Sequence, residues 1–257
     1  MDDNLILKEG EILTPVNNDL SLIQKERSQP FSTDAYLLYA YMKKWQSATA
    51  VELGSGSGVV SLLSVTGGKF SRVISLEIQS EMADINRRNI LYNKLSDKTE
   101  VIECDLRNID RLGISDVEVV FTNPPYMKNG SGMTGPHLAR GISRHELNGG
   151  IEEFCCAASK ILKFGGLFYV VYRPERISDL FAAMRKSALE PKEMTLVAPD
   201  SNSSPSLVLV KGKKGAASGC TVTPMLCMYE DLAHTVESLD VKYIYANGDF
   251  NERFRKH

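Results

Sequence analysis

Short apolar runs alternate with longer amphipathic stretches along most of this chain. The apolar runs have the length and the β-branched character of buried strands, and they occupy residues 50–53, 72–77, 100–104, 117–122 and 167–172. The stretches between and after them have helical periodicity at residues 59–65, 82–95, 151–162 and 175–189. Repeated strand–helix–strand units of this kind predict a parallel sheet with helices on both faces.

The N-terminal part follows a different pattern. Two apolar stretches within residues 5–25 flank the turn formers Asn17-Asn18-Asp19, which predicts a hairpin. Ser32-Thr33-Asp34 then offers N-cap side chains for an apolar helix at residues 35–45. Both elements precede the first predicted strand of the sheet.

Near the other end, strand-like runs at residues 193–197 and 206–210 are joined by turn formers with no helix between them. A connection of this kind makes the pair antiparallel. The expected fold class is therefore α/β, with a mostly parallel seven-stranded sheet and one antiparallel strand. We expect a single domain over residues 1–257, made of an N-terminal extension, a core and a C-terminal extension (1–48, 49–212 and 213–257).

A glycine-rich turn, Gly54-Ser55-Gly56-Ser57-Gly58, lies between the first strand of the sheet and a helix. Glycines in this place let a ligand approach the backbone closely. Glu52 precedes the first glycine by two positions, where its charge would repel the pyrophosphate of a dinucleotide. The same charge would attract a cation. The turn therefore favours S-adenosyl-L-methionine, which carries a sulfonium and an ammonium group, over NAD.

Glu77 ends the second strand of the sheet. An acidic side chain at this place typically accepts hydrogen bonds from the ribose hydroxyls of a nucleoside cofactor. We expect Glu77 to do so here.

The motif Asn123-Pro124-Pro125-Tyr126 follows the apolar run at residues 117–122. A planar nitrogen, such as adenine N6 or the amide of glutamine, is a poor nucleophile because its lone pair is conjugated. The Asn123 side chain and the Pro124 carbonyl can each accept one N–H and so direct the lone pair at a methyl donor. Pro125 stiffens the turn, and Tyr126 offers a stacking surface for a base, worth roughly 1–3 kcal/mol. This chemistry needs neither a metal nor a strong base.

The two motifs together resemble the S-adenosylmethionine-dependent methyltransferases that act on planar nitrogens. The whole pattern resembles the bacterial tRNA adenine-N6 methyltransferases that modify adenine 37, 3′ to the anticodon of a valine tRNA. It runs from about residue 6 to the end, and its other segments are Phe31-Ser32-Thr33-Asp34, Ser143-Arg144-His145-Glu146, Gly165-Gly166, Pro224-Met225-Leu226 and Tyr243-Ile244-Tyr245. The resemblance implies a Rossmann-like class I methyltransferase fold and tRNA as the partner.

The resemblance also implies roles for individual residues. Thr33 and Asp34 are expected near the methionine end of the cofactor, and Asp105 near its adenine amino group. With the residues derived above, the expected cofactor contacts are Thr33, Asp34, Glu52, Gly54, Ser55, Gly56, Gly58, Glu77, Asp105, Leu106 and Asn123.

Residues 127–150 begin directly at the Asn-Pro-Pro-Tyr turn and are rich in glycine and basic side chains without a clear period. Loops of this length inside a compact domain are usually functional or disordered. The loop is a candidate for contacts with phosphates or a flipped nucleotide. The expected tRNA contacts are Tyr126, Lys128, Arg140, Arg144 and Arg173.

The composition restricts the partners further. The formal net charge of −2 is unlike that of a strongly basic nucleic-acid binder, so an RNA footprint has to come from local basic clusters. These are Lys43-Lys44, Arg87-Arg88, Lys211 with Lys213-Lys214, and residues 253–256. The five cysteines give an odd count without CxxC spacing, which disfavours a disulfide framework and a zinc site. Without a signal peptide or an apolar run of about 18–20 residues, the cytoplasm is the expected location.

Other functions are compatible with the same catalytic motif. A protein glutamine N5-methyltransferase acting on a peptide-release factor is the main alternative, although that group has a helical domain where this chain has a predicted hairpin and helix. An rRNA or DNA adenine methyltransferase is a further alternative, and a DNA enzyme would usually need a recognition domain. A non-catalytic RNA-binding protein is disfavoured by the intact Asn123 and Tyr126.

Overall fold

Alternating apolar side chains on the central strands supply two hydrophobic cores, one on each face of a sheet. The computed structural model describes residues 7–26, 32–125 and 150–255. On β3 (Thr49–Leu53), Ala50 contributes to one core and Val51 to the other. This follows from the two-residue period of a strand and confirms the predicted three-layer α/β arrangement.

The sheet contains nine strands among the described residues. After β3 these are β4 (Arg72–Glu77), β5 (Thr99–Glu103), β6 (Val117–Thr122), β7 (Leu162–Tyr172), β8 (Leu189–Ala198), β9 (Leu207–Lys214), β10 (Thr221–Val222) and β11 (Leu226–Cys227). The order is β5-β4-β3-β6-β7-β9-β8, with β10 and β11 both pairing with β8. Strand β9 is antiparallel to β7 and β8, which confirms the predicted antiparallel strand.

The structure differs from the seven-strand prediction at the edge of the sheet. Strands β10 and β11 have two residues each and extend the sheet beyond β8. A two-residue pairing is too short to have a periodic pattern, so the sequence did not indicate it. The first five strands of the order, β5-β4-β3-β6-β7, have the doubly wound arrangement of Rossmann-like folds.

Six α-helices cover the sheet within the described ranges. They are α1 (Thr33–Tyr41), α2 (Val59–Thr66), α3 (Ser80–Tyr92), α4 (Ile151–Ile161), α5 (Ile177–Lys186) and α6 (Leu239–Asn247). Short 3₁₀ segments occur at Leu106–Leu112, Pro174–Arg176 and Glu252–Phe254. None of the described helices combines the length and the apolar character needed to cross a bilayer.

Helix α1 ends at Tyr41, four residues before the predicted end at Trp45. The backbone at Met42 is extended, and Lys69 donates hydrogen bonds to the carbonyls of Ala40 and Met42 at 3.2 and 2.6 Å. Arg255 donates to the Tyr41 carbonyl at 3.0 Å. Cations at the last carbonyls stabilise a helix C-terminus, so distant residues set this boundary.

The predicted N-terminal hairpin is confirmed. Its strands are β1 (Glu11–Pro15) and β2 (Ser21–Lys25), which form a separate two-stranded sheet. The hairpin packs on α3, where Arg88 makes a bidentate ion pair with Glu11 at 2.6 Å. Asn89 of α3 also bonds both to Ile23 of the hairpin and to Ser57, so the hairpin lies beside the loop that leads into α2.

Candidate active site

The carboxyl ends of β3, β4 and β6 face one cleft, because the ends of neighbouring parallel strands meet at one edge of a sheet. Two adjoining cavities lie there among the described residues. The hairpin-side cavity, of about 310 Å³, is lined by Gln24, Lys25, Ser32, Ala35, Glu52, Ser55, Ser57, Val59, Val60 and Ile85. The β4-side cavity, of about 320 Å³, is lined by Leu76, Glu77, Ile78, Gln79, Cys104, Asp105, Leu106, Pro125, Glu153 and Phe154. Both cavities share Gly54, Gly56, Met82 and Asn123.

The glycine turn separates the two cavities and is tied to the end of β4. Gly54 and Ser55 donate backbone hydrogen bonds to the Leu76 carbonyl at 2.8 and 3.0 Å. Gly54, Gly56 and Gly58 all have positive φ, which favours glycine. At Gly58 a Cβ atom would lie 2.1 Å from Asn86 Oδ1, so this position also needs glycine for space.

Glu77 holds the glycine turn through its side chain. Its Oε2 accepts the N–H of Gly56 at 2.7 Å, and its Oε1 accepts the N–H of Gln79 at 2.9 Å. The side chain is buried and lines the β4-side cavity. Each carboxylate oxygen can accept more than one hydrogen bond, so Glu77 keeps acceptor capacity for a ligand hydroxyl in this cavity.

Glu52 is held differently. It is 2% exposed, and its Oε2 accepts hydrogen bonds from the Ser61 N–H at 3.0 Å and from the Ser61 hydroxyl. Burial raises the pKa of this carboxyl to about 8, against the lowering effect of the Ser61 hydrogen bonds. Glu52 therefore carries a proton near neutral pH, and a cation in the hairpin-side cavity would favour its ionised form.

Asn123 lies directly after β6 and is half-buried at the junction of the two cavities. The Thr122 hydroxyl donates to the Leu53 carbonyl at 2.8 Å and so ties the end of β6 to the end of β3. Pro124 is buried, and Pro125 is exposed and lines the β4-side cavity. Tyr126, Lys128, Arg140 and Arg144 lie outside the described residues.

The segment that leads into α1 reaches the cleft through different residues from those expected. Ser32 and Ala35 line the hairpin-side cavity, whereas Thr33 and Asp34 line neither cavity. Residues three apart share one side of a helix, which explains this pairing. Thr33 is exposed and interacts with the phenol of Tyr245, while the Asp34 carboxylate accepts hydrogen bonds from the Ser32 hydroxyl and the Ala35 N–H.

Asp105 and Leu106 line the β4-side cavity, but the Asp105 carboxylate is engaged locally. It accepts the Arg107 N–H at 2.9 Å and forms an ion pair with the Arg107 guanidinium, which lowers its pKa. It thereby caps the 3₁₀ segment that follows.

The remaining expected contacts are divided between the cavities and the surface. Ser55 lines the hairpin-side cavity, whereas Gly58 lines neither cavity. Arg173 follows β7, lines neither cavity and donates to the Ser206 carbonyl at 3.1 Å.

Several cavity residues were not identified from the sequence. Gln24 and Lys25 come from β2, and Phe154 comes from α4. Gln24 is a buried polar side chain on an otherwise apolar strand face, which is a weak signal of a ligand site. Phe154 gives no local signal, because α4 reaches the cleft through packing beneath the glycine turn.

Several side chains of the basic clusters form ion pairs or hydrogen bonds within the chain. Arg88 pairs with Glu11, Lys211 with Glu193, and Arg253 with Asp240. Lys214 donates to the carbonyls of Ser159 and Leu162. These side chains contribute less to a polyanion-binding surface than their sequence clustering predicts.

The fold of this chain is shared with solved methyltransferase structures. A predicted O-methyltransferase, Atu636 from Agrobacterium tumefaciens, superposes with a TM-score of 0.68 at 23% identity, over 85% of this chain and 98% of that one. TYW2 from M. jannaschii, in a structure with AdoMet, superposes with a TM-score of 0.54 at 15% identity, over 80% of this chain and 87% of that one. These similarities establish the Rossmann-like class I methyltransferase fold.

No family model matches the chain, whereas curated proteins do. It is 30% identical over 180 residues, 69% of its length, to the tRNA1(Val) (adenine(37)-N6)-methyltransferase of Bacteroides fragilis (strain YCH46), and covers 74% of that protein. Proteins of the same name from Porphyromonas gingivalis (strain ATCC BAA-308 / W83) and Shewanella halifaxensis (strain HAW-EB4) are each 26% identical. These matches span 58% and 60% of this chain and 60% and 62% of the two relatives. The chain thus belongs to the tRNA1(Val) (adenine(37)-N6)-methyltransferase family.

Proposed function

We propose that this protein transfers a methyl group from S-adenosyl-L-methionine to the exocyclic N6 of adenine 37 in tRNA1(Val). The single observation that carries the proposal is the position of Asn123, which lines both cavities at their junction. A methyl donor spanning the two cavities would have its reactive centre beside this side chain. The names of the curated relatives give the substrate.

The residues of the β4-side cavity fit the adenosine part of the cofactor. Glu77 offers carboxylate oxygens to ribose hydroxyls, and the apolar surfaces of Ile78, Leu106 and Phe154 suit a planar base. The hairpin-side cavity fits the amino-acid part, because Glu52 suits an ammonium group and Lys25 a carboxylate. When bound, S-adenosylmethionine supplies an electrophilic methyl group on a sulfonium.

The catalytic contribution of the chain is to position the attacking nitrogen. The Asn123 side-chain oxygen and the Pro124 carbonyl accept its two N–H groups and direct its lone pair toward the methyl group. The Thr122–Leu53 hydrogen bond supports this geometry by fixing the strand end that carries Asn123. Positioning two reactants in this way contributes on the order of 7–11 kcal/mol to lowering a barrier. Tyr126 is proposed to stack on the target base.

The tRNA contacts are proposed to come mainly from the neighbourhood of the catalytic turn. Lys128, Arg140 and Arg144 belong to the chain that follows Asn123 in sequence, and Arg173 follows β7, the strand next to β6. Arg173 extends from the same edge of the sheet as Asn123, since β6 and β7 are parallel. Positive charge at this edge would attract the phosphates of the anticodon loop.

The proposal is tested by a methyl-transfer assay with isotopically labelled S-adenosylmethionine. Total tRNA from a strain that lacks this protein and purified release factor are offered in parallel, and the products are digested and identified by mass spectrometry. N6-methyladenosine at position 37 of tRNA1(Val) is the expected product. Label in release-factor glutamine alone would replace the proposal with the protein methyltransferase alternative.

A further inference from the structure

Helix α3 and the residue that caps its C-terminus present three asparagines toward the N-terminal hairpin and the glycine turn. Asn86, Asn89 and Asn93 share one side of the helix, and the first two have no exposed surface. Asparagine is a poor residue for a helix interior, and a buried carboxamide is costly unless it is hydrogen-bonded. The contacts of these side chains therefore need an explanation.

Two of the carboxamides pair with the backbone of β2. Asn93 accepts the Ser21 N–H at 3.1 Å and donates to the Ser21 carbonyl at 2.8 Å. Asn89 accepts the Ile23 N–H at 2.6 Å and donates to the Ile23 carbonyl at 3.3 Å. A carboxamide has the donor and the acceptor of a peptide group, so the two side chains take the place of a neighbouring strand along this edge of the hairpin.

Asn89 makes one contact that Asn93 does not. Its Nδ2 also donates to the Ser57 carbonyl in the glycine turn at 3.0 Å. Ser57 lines the hairpin-side cavity, and so do Gln24 and Lys25, which follow Ile23 on β2. One carboxamide thus holds both walls of this cavity at a fixed separation.

We propose that Asn89 is a positioning residue for the cofactor, which sets the distance between the hairpin and the glycine turn around the amino-acid part of S-adenosylmethionine. The inference rests on the proposed function, because it assigns the hairpin-side cavity to that part of the cofactor. It makes a selective prediction. Loss of Asn89 is expected to weaken the binding of ligands that carry the amino-acid part and to spare the binding of adenosine thioethers that lack it.

The test uses isothermal titration calorimetry with two probes, S-adenosylhomocysteine and 5′-deoxy-5′-methylthioadenosine, which lacks the amino-acid part. For Asn89→Ala we expect the Kd of S-adenosylhomocysteine to rise by about ten-fold or more, with the Kd of methylthioadenosine changed by less than about three-fold. Asn93→Ala is the matched control, because it removes hydrogen bonds to β2 without touching the glycine turn. It is expected to lower the thermal midpoint to a similar extent while changing both Kd values by less than about three-fold.

A second variant keeps the test informative if Asn89→Ala does not fold. Asn89→Asp retains the acceptor for the Ile23 N–H but loses both donors, so the same selective loss is expected. If either variant raised the Kd of both probes equally, or raised neither Kd, the inference would be overturned and Asn89 would have only a general structural role. Failure of the wild-type protein to bind S-adenosylhomocysteine would instead overturn the proposed function, and the inference with it.

Discussion

The two cavities that meet at Asn123 are built in different ways. The β4-side cavity is formed mainly by residues at the ends of β4 and β5, together with Glu153 and Phe154 of α4. Backbone N–H groups of Gly56 and Gln79 hold its carboxylate, Glu77. The hairpin-side cavity has one wall from the sheet, at Glu52, and another from the N-terminal hairpin. That second wall is attached to α3 by side-chain hydrogen bonds and ion pairs.

The difference is visible in the two carboxylates. Glu77 accepts two backbone N–H groups, one from Gly56 in the glycine turn and one from Gln79, two residues after it. Glu52 is bonded to Ser61 and is buried, so its pKa is raised to about 8. The β4-side cavity thus takes its walls from the sheet and α4, whereas the hairpin-side cavity takes one wall from the N-terminal hairpin and contains a buried carboxyl whose ionised form a cationic ligand would favour.

Asn123 lines both cavities, so its replacement should have the largest effect, and that effect should be on the rate of methyl transfer. Asn123→Ala removes an acceptor for the attacking nitrogen, and we expect single-turnover methyl transfer to tRNA to fall by about 10³-fold or more. Cofactor affinity, measured by calorimetry, should change by only a few-fold. Asn108→Ala, an exposed asparagine on the 3₁₀ segment, is the control and should have normal activity. Comparable rates in wild type and Asn123→Ala would remove Asn123 from the reaction.

The second-largest effect is expected for Glu77, which lines only the β4-side cavity. Glu77→Gln replaces one acceptor oxygen by an NH₂ group that faces the N–H of Gly56 or Gln79. We expect the affinities for S-adenosylhomocysteine and for methylthioadenosine to fall together by about 10- to 100-fold, since both ligands contain the ribose. Glu103→Gln at the end of neighbouring β5, where the side chain is exposed, should leave both affinities unchanged. Loss of S-adenosylhomocysteine binding alone would place the ribose elsewhere.

The same contrast explains what the sequence could predict. Glu52 lies at the end of β3, Glu77 ends β4 and Asn123 follows β6. The apolar pattern identified all three strands, and the carboxyl ends of parallel strands meet at one edge. Gln24 and Phe154 reach the cleft only because their elements pack there, through α3 and beneath the glycine turn. Those contacts join residues far apart in sequence, and no local periodicity encodes them.

Glu52 provides a third test, which is specific to the hairpin-side cavity. Glu52→Gln should weaken S-adenosylmethionine binding by about ten-fold, because a neutral side chain attracts the ammonium group less. The effect is smaller than for Glu77, since Glu52 is largely protonated before the ligand binds. Methylthioadenosine has no ammonium group, so its affinity should be unaffected. Equal losses for both ligands would contradict the assignment of this cavity.

The raised pKa of Glu52 also predicts how stability depends on pH. The folded protein holds this proton more tightly than the unfolded chain, whose carboxyl has the ordinary pKa of 4.5. The stabilisation from the buried neutral form is therefore complete below pH 4.5 and is lost as the pH rises toward about 8. In denaturant unfolding without ligand, the free energy of unfolding of Glu52→Gln should rise relative to that of the wild type by up to about 1.4 kcal/mol per pH unit over this range. A constant difference would mean that Glu52 is ionised in the unliganded fold.

The smallest effects concern the start of α1, where Ser32 and Ala35 line the hairpin-side cavity and the expected contacts Thr33 and Asp34 do not. Thr33→Val removes a hydroxyl that lies outside both cavities and interacts with Tyr245, so the Kd of S-adenosylhomocysteine should change by less than about two-fold. Ser32→Ala changes a residue that lines the hairpin-side cavity and removes the hydroxyl that donates to Asp34, and a change of about two- to five-fold in this Kd is expected. The relative size of the two effects is decisive, because Ser32 and Ala35 share the side that faces the hairpin-side cavity. A larger loss for Thr33→Val would mean that α1 turns when the cofactor binds, so that this wall, unlike the β4-side cavity, is completed only in the complex.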